Sequence, residues 1–591
     1  MKISEGGRLL RDLVPCVANG TPCFYDRVSG SYFASEVSAA FTAGETVARL
    51  EDSDAVAWSA AATADAGVVE AVWDGGGANN SFATAENWKG DTSPDLTGGM
   101  TILRFATGGT SAQVAAPATV RGLRFNLPDS DFTLSGSPIS IGADGIEFTP
   151  NAVSSGSWRF GNLDLPVTVA ADQTWDLSSE TRQRLGLKGN LGGAADKTLT
   201  VTGSGALSIN STNDFAGTVR LSGGVAKVFS KLRPFGSAAD GGRVVVDQSA
   251  GARLEMYGCT IDKPLDVQAA KFDSSCFISR EGYGTNVISG AITQSGDILN
   301  WNLSLGSVTL LTGGGAFGGV AFKDVGALAV DGTPIVNRGT IFSFDDGGSL
   351  HLLNSGNEFN VNLKSNSKMH CRAQDAMTYW ADVTLGGASV LDLHGLDQKF
   401  GDLVLAGESS RVTSDGPASI LAYCDDAKIA ATNKGVFAGA VSFTKSGARQ
   451  IVLASENTST GALGVQNGPL VIAPGGKWTG KTATIGAEAT NRHPSLRLMH
   501  NACFADPRHT TLAMTTSTSD MKTEMPNPEP ELVLDEGVHH LFREITLNGK
   551  PLASGTWGSS QSSATHKDNT HFSGKGVVEV IGTRGLCIVI R

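Results

Sequence analysis

Two pairs of adjacent aspartates are among the residues of this chain whose types could support binding chemistry. Asp345 and Asp346 form the first pair, and Asp425 and Asp426 form the second. Carboxylates are ligands that hard cations such as Ca²⁺ prefer. Both pairs lie beside turns, where Asp is favoured because its side chain hydrogen-bonds to nearby backbone. We therefore favour a structural role for these four residues and keep cation binding as the alternative.

Two tryptophans, Trp73 and Trp88, bound a glycine-rich segment that reads WDGGGANNSFATAENW. As exposed rings they could stack on the apolar face of a sugar. As buried rings they would close one end of a β structure and cover its unpaired strand edges. The segment occurs once, near the start of the chain, which favours the capping role. Carbohydrate stacking remains the alternative.

Two segments match nucleotide-binding motifs in their residue letters, but their surroundings do not fit the structure that those motifs require. Residues 475–482 (GGKWTGKT) fit the phosphate-binding P-loop, and residues 313–318 (GGGAFG) fit G-x-G-x-x-G. A working phosphate loop must open a helix, whereas both segments run into alternating, strand-like sequence. His539 and His540 lack a third ligand at helical or hairpin spacing. No Gly-His-Gly motif of the polygalacturonase type occurs, so we predict no enzymatic activity, no metal and no cofactor.

The stretch Leu199 to Val228 indicates which elements make up the chain. It reads LTVTGSGALSINSTNDFAGTVRLSGGVAKV, with apolar residues two apart and Gly, Ser, Asn or Asp between the pairs. This pattern predicts short strands joined by tight corners. One such unit cannot bury its apolar face alone, so it needs copies stacked above and below.

Further copies of the stretch support a repeat. Residues 451–472 align without gaps at an offset of 244, which maps Asn213 to Asn457 and Gly217 to Gly461. Residues 350–371 keep the alternation and the Asn-x-Phe step with insertions and deletions. The sequence therefore predicts a solenoid of degenerate repeats.

These repeats resemble the autotransporter-associated β-strand repeat of large bacterial surface and secreted proteins. The resemblance extends to LDLHGLDQKFGDLVL at residues 391–405, to the entry segment ending at Trp88, and to a closing segment with an N-G turn and a G-T-W-G step. It implies an all-β, elongated right-handed parallel β-helix with an aromatic N-terminal capping element and a small C-terminal β cap.

The first 45 residues stand apart from the repeats. Residues 11–44 resemble the closing strands of laminin-G-like or concanavalin-like domains, and a small hairpin of no separate function is the alternative. We predict the following organisation: 1–45, a short β segment that the resemblance makes the tail of an upstream lectin-like domain; 46–70, a linker; 71–180, the entry module; 181–514, degenerate repeats; 515–530, a flexible linker; 531–591, the C-terminal cap.

The amino-acid composition limits which kinds of partner the protein can bind. The formal net charge is −12, which argues against nucleic acid or an anionic membrane, since both favour a basic face. No apolar run reaches the length of a transmembrane helix. No signal peptide is visible in residues 1–11.

Of the eight cysteines, Cys16 and Cys23 could bridge across a hairpin, and we expect most of the others to be buried free thiols.

Together these observations predict a non-enzymatic structural, adhesin-like protein that is secreted or displayed on the outer cell surface. Its expected partner is an extracellular or cell-surface polysaccharide, or a host protein. Two alternatives are a polysaccharide-active enzyme of the pectin-lyase type and a carbohydrate-binding surface protein.

Overall fold

The computed structural model describes residues 2–5, 8–18, 21–26, 31–34, 67–106, 109–126, 131–149, 159–178, 183–229, 232–270, 275–345, 347–424, 430–486, 493–516 and 529–582. The chain divides into two units, Met1–Val68 and Val69–Arg591. The smaller unit holds four antiparallel strands, Lys2–Glu5, Arg8–Ala18, Thr21–Asp26 and Ser31–Ala34. In this sheet Cys16 lies directly opposite Cys23.

The larger unit is a parallel β-solenoid of about 16 turns. Strand Thr198–Ile209 runs parallel to strand Thr218–Phe229, with Leu199 opposite Val219 and Ile209 opposite Val228. The next turns continue this register through Val244–Asp247 and Arg253–Tyr257. The predicted stacking of short strands is confirmed, and so is the all-β fold class.

The period-two pattern explains which side chains enter the core. In strand Glu358–Leu363 the residues alternate between partly exposed and buried, and Phe359, Val361 and Leu363 point inward. Buried aromatic rings also stack along the solenoid: Phe322 and Phe344 lie 4.4 Å apart between ring centroids. Each turn thus buries its apolar face against the turns above and below, as a repeat architecture requires.

Buried side-chain amides hydrogen-bond neighbouring turns at their corners. Asn213 accepts a hydrogen bond from the Leu191 N–H, 2.8 Å away. Asn357 accepts one from Ile335 and donates to the Ala376 carbonyl. Asn457 accepts one from Phe437 and donates to the Lys477 carbonyl. All three asparagines are buried. They pair backbone groups at corners where the strand ladders are interrupted.

The first turn of the solenoid is closed by a cluster of aromatic rings. Trp73 ends the strand Val69–Trp73, and Trp88 follows the short 3₁₀ helix Ala85–Asn87. The two indole rings meet edge to face at 5.1 Å, and Phe82 packs against both. Trp88 Nε1 donates to the Phe82 carbonyl at 2.9 Å. This is the arrangement that the capping interpretation requires.

At the other end, the parallel stack passes into a mixed sheet. Strands Glu531–Leu534 and Glu544–Leu547 still pair parallel to the preceding turn. Residues 548–549 then form the Asn-Gly turn of an antiparallel hairpin. Strand Gly555–Gly558 runs antiparallel to Val577–Val580. This change of strand direction marks the end of the regular solenoid.

Five of the eight cysteines are buried in the solenoid: Cys259, Cys276, Cys371, Cys424 and Cys503. Burial raises the pKa of the Cys259 and Cys276 thiols to about 12. They therefore pack as small apolar residues, as the sequence predicted. Cys587 lies outside the described residues.

Candidate functional site

The structure describes only one of the four aspartates proposed for cation binding. Asp345 lies 3.2 Å from Lys364 Nζ, so a cation of the protein itself already faces its carboxylate. Asp346, Asp425 and Asp426 lie outside the described residues. Cation binding by these pairs stays a prediction.

Trp73 and Trp88 are 0% and 1% exposed, respectively. A ring stacks on a sugar only through a face that solvent can reach. In this structure neither indole presents such a face, so the carbohydrate-stacking alternative does not fit these two residues.

The P-loop-like segment forms a corner between strands. Thr482 begins the strand Thr482–Gly486, where a phosphate loop would begin a helix. A Cβ on Gly480 would come within 1.8 Å of the Gly461 carbonyl oxygen of the preceding turn. Gly480 is therefore needed for close stacking of two turns, as the sequence interpretation of a glycine corner anticipated.

An exposed group of aromatic rings lies on turns that the sequence analysis did not single out. Tyr379 and Trp380 are 46% and 44% exposed, and their ring centroids lie 4.6 Å apart. Tyr423 packs against Tyr379 at 5.4 Å. The Arg338 guanidinium carbon lies 3.9 Å above the Trp380 ring. We call Arg338, Tyr379, Trp380 and Tyr423 the aromatic surface.

Several different turns position the aromatic surface. Arg338 lies in the strand Val336–Phe344, Tyr423 ends the strand Ala418–Tyr423, and Tyr379 and Trp380 precede the strand Val383–Leu385. Because Arg338, the Tyr379–Trp380 pair and Tyr423 belong to different turns, the register of the solenoid brings them together.

Charged groups surround the aromatic surface. Arg338 Nε donates to Glu358 Oε2 at 2.9 Å, which holds the guanidinium over the Trp380 ring. Lys399 Nζ lies 2.9 Å from Asp375 Oδ2. Asp382 Oδ1 accepts a hydrogen bond from the Asp402 N–H at 2.7 Å, and the Asp402 carboxylate pairs with Arg449. The surface thus combines exposed rings with hydrogen-bonding groups of both charges.

A second cluster joins three histidines and an aspartate on the outer side of the same turns. His351 and His370 are opposite each other in neighbouring strands, and their rings stack at 4.5 Å. Asp392 lies opposite His370 in the following turn. His370 Nδ1 and His394 Nε2 are 3.0 Å apart. We call His370, Asp392 and His394 the His-Asp cluster.

The surroundings of His351 and His370 favour their neutral imidazole forms. Burial lowers the pKa of His370, and the nearby His394 lowers it further, while Asp392 acts in the opposite direction. Burial also lowers the pKa of His351 to about 4, assisted by His370. A neutral imidazole carries a free lone pair on one ring nitrogen.

One sequence signal for this cluster was the spacing of its histidines. His351, His370 and His394 are spaced by 19 and 24 residues, which is about one solenoid turn each. Such a spacing becomes informative only when the turn length and the outward-facing positions are known, so the search for ligands at helical or hairpin spacing missed it.

The fold and these surfaces define the protein as a parallel β-solenoid with two outward-facing candidate sites. No family model, no curated protein and no solved structure matches the chain. Among the residues that the structure describes, no helix is both long enough and apolar enough to cross a bilayer.

Proposed function

We propose that this chain is a non-enzymatic, adhesin-like structural protein, exported to the cell surface or beyond it, that binds polysaccharide through the aromatic surface. The observation that carries the proposal is the exposure of Tyr379 and Trp380 beside Arg338. The resemblance of the repeats to those of bacterial surface and secreted proteins supports the location and the class.

An exposed pair of large aromatic rings needs a reason, because such rings are normally buried in a folded protein. Here the core is well supplied with apolar residues, and the rings lie outside it. Their apolar faces suit the C–H face of a pyranose. The Arg338–Glu358 pair supplies partners for sugar hydroxyl groups.

The scaffold also suits a binding role. Arg338 covers one face of Trp380, and a cation–π contact of this kind restricts the ring. A site that is already ordered before binding loses less entropy when the ligand arrives. The aromatic surface is therefore preorganised to bind an extended, polar ligand.

The first test is binding to immobilised polysaccharides and glycan arrays. We expect W380A and Y379A each to weaken binding at least tenfold. Y283A is the matched control, because Tyr283 is 50% exposed and lies outside the aromatic surface. Equal binding by the wild type, W380A and Y283A would contradict the proposal.

A second candidate function is a polysaccharide-active enzyme of the pectin-lyase or hydrolase type. The observation that favours it concerns Asp382, which follows Trp380 by two residues in the sequence. Burial raises the pKa of its carboxyl group, against the opposing charge of Arg449. Enzymes that cleave glycosidic bonds commonly use two carboxylates beside the substrate.

Turnover of uronate-containing polysaccharides distinguishes the two functions. Release of reducing or unsaturated ends that D382N abolishes and D345N leaves intact would establish the enzyme. Binding without turnover supports the adhesin-like role.

A further inference from the structure

We propose that His370, Asp392 and His394 bind a divalent transition-metal ion of the zinc type on the outer surface of the solenoid. The proposal is independent of the polysaccharide-binding role, since it rests on a different group of side chains. It differs from the sequence expectation, which found no histidine set with ligand spacing.

The three donor atoms lie at distances that suit one metal ion. His370 Nδ1 and His394 Nε2 are 3.0 Å apart, and Asp392 Oδ2 lies 3.7 Å and 3.4 Å from them, respectively. An ion about 2.1 Å from each donor, in tetrahedral geometry, separates the donors by about 3.4 Å. The observed separations lie on both sides of that value.

The backbone orients the carboxylate toward the two rings. The His394 N–H donates to Asp392 Oδ1 at 3.2 Å, so the other oxygen, Oδ2, is the one that faces the imidazoles. His394 adopts a left-handed φ of 50°, and Gly395 follows with 74°. This tight turn folds the His394 ring back over its own strand. A non-glycine residue in this conformation is uncommon.

Neighbouring side chains hold the two imidazoles in place. His351 stacks on His370 with an angle of 8° between the ring planes. The Gly395 N–H donates to Ser414 Oγ at 2.8 Å, which fixes the turn that carries His394. On the far side of the His394 ring, Nδ1 lies 3.9 Å from Asp415 Oδ2. Metal-bound histidines typically place their second nitrogen near such an outer carboxylate.

The donor set selects among metals. Two imidazole nitrogens and one carboxylate suit Zn²⁺, Co²⁺, Ni²⁺ and Cu²⁺, whereas Ca²⁺ and Mg²⁺ prefer oxygen ligands. The cluster is partly exposed, with side chains 18% to 24% accessible. A three-residue site of this kind leaves a further coordination position for water or an external ligand.

The competing explanation is a hydrogen bond between the two imidazoles that needs no metal. One ring nitrogen would donate its proton to the other across 3.0 Å. The two explanations differ in what happens when metal is added. A metal ion takes the lone pairs of both facing nitrogens, and the proton between the rings moves to the other nitrogen of its own imidazole.

The experiment is titration of the full chain, first treated with chelator, with ZnCl₂ in a calorimeter and with CoCl₂ in a spectrophotometer. We expect one Zn²⁺ equivalent assigned to the cluster, visible ligand-field absorption for Co²⁺, and no competition from excess CaCl₂.

Two variants remove a ligand with little change to the backbone. H394N keeps a residue type that tolerates the left-handed conformation, and D392N keeps an oxygen that can accept from the His394 N–H. We expect each to lower Zn²⁺ affinity at least tenfold. H509A is the matched control, since His509 pairs with Asp506 at 2.8 Å and is not one of the three proposed ligands.

Unfolding midpoints measured without metal establish whether the variants fold. If H394N does not fold, the Zn²⁺ affinity of D392N decides the outcome. Unchanged Zn²⁺ affinity in a folded D392N or H394N, equal to that of H509A, would overturn the proposal. Absence of any Zn²⁺ binding by the wild type would leave the hydrogen bond between imidazoles as the explanation and also overturn it.

Discussion

Asn457 shows how a single buried amide connects three turns. Its side chain accepts from the Phe437 N–H at 2.9 Å and donates to the Lys477 carbonyl at 3.1 Å. Residues 437 and 477 lie about 20 positions before and after it. The Asn in the repeat is therefore explained by its two hydrogen-bonding ends, which an aliphatic residue of similar size lacks.

We expect N457A to lower the free energy of unfolding by about 2–3 kcal/mol, because it leaves buried backbone groups without partners. N302A is the control, since Asn302 lies at an outward, partly exposed position of the strand Leu299–Leu303, where substitutions usually change stability by less than about 0.5 kcal/mol. Urea denaturation followed by circular dichroism provides the measurement. Equal midpoints for the two variants would refute the bridging role.

His540 is a buried histidine in the strand His539–Phe542 near the C-terminal end. Its Nδ1 lies 2.9 Å from the Asn501 carbonyl, and its ring packs against Phe504 and Phe542. Burial lowers the pKa of His540 to about 4; the Asn501 hydrogen bond opposes this shift and nearby His500 adds to it. The folded protein therefore keeps this imidazole neutral at neutral pH.

Because the pKa of His540 is lower in the folded protein than in the unfolded chain, the protein has its full stability only above the unfolded-state pKa of about 6.5. As the pH falls from about 6.5 to about 4, the unfolded chain binds a proton that the folded chain does not. This difference costs up to about 3 kcal/mol of stability. We expect H540F to lose less stability than the wild type over that range, as measured by thermal unfolding at several pH values.

H509A provides the comparison for a histidine that is exposed and paired with Asp506. This variant removes an imidazole from the surface and leaves the buried ring of His540 in place. Parallel profiles for the wild type and H540F would show that His540 does not contribute to acid sensitivity.

Residue identity predicted little of the candidate sites. Aromatic character marked Trp73 and Trp88 as sugar-binding candidates, but it does not distinguish a ring in the cap from a ring on the surface. Trp380 and Tyr379 have the same character and are exposed. The outward positions of a solenoid are under no packing constraint, so only the register of the turns reveals which side chains meet there.

At the scale of the elements, glycine corners determine how closely two turns approach. Gly480 lies where a Cβ would be 1.8 Å from the Gly461 carbonyl oxygen. The obstructing atom is backbone, so no flexible side chain can move aside.

We expect G480A to cost at least about 2 kcal/mol of stability, because the two turns must separate to admit the methyl group. G339A is the control, since the nearest atom to its Cβ would be 3.9 Å away. The denaturation midpoints of both variants test this directly. A G480A midpoint within error of G339A would mean that the corner adapts without cost.

The strands themselves were predictable from the sequence. Alternation of apolar residues at Leu199, Val201, Leu207 and Ile209 identified a strand with one buried face, and all four are buried. Packing requires the residue class at each inward position more than its identity, so a degenerate repeat still indicates the fold. The letter patterns at residues 475–482 and 313–318 open no helix, as their alternating surroundings predicted, and each contains a two-residue strand, Lys477–Trp478 and Gly315–Ala316.

At the scale of the whole molecule, a stack of turns has two ends that need covers. The aromatic cluster around Trp73 covers the first turn, and the mixed sheet beyond residue 548 follows the last. An open end would offer unpaired N–H and C=O groups to a second molecule.

We expect truncation after Pro530 to leave the preceding turns folded but to cause self-association. The truncation removes the strand Glu531–Leu534 and so exposes the edge of Ser495–Leu498, and it exposes the edge of Thr511–Thr515 by removing Glu544–Leu547. Light scattering over a range of concentrations checks the result. A truncated chain that stays monomeric at high concentration would show that the C-terminal module is not a cap.

The parallel register between turns also has a mechanical consequence. The strands lie across the solenoid axis, so the hydrogen bonds between turns point along it. Tension applied along that axis loads one interface between turns at a time, and each interface is held by short ladders and corner amides such as Asn457. Under tension the solenoid would therefore unfold one turn at a time. Each unfolded turn of about 20 residues would lengthen the molecule by roughly 70 Å. A protein of this design extends in small steps under load and keeps the remaining turns, with the surfaces they carry, intact.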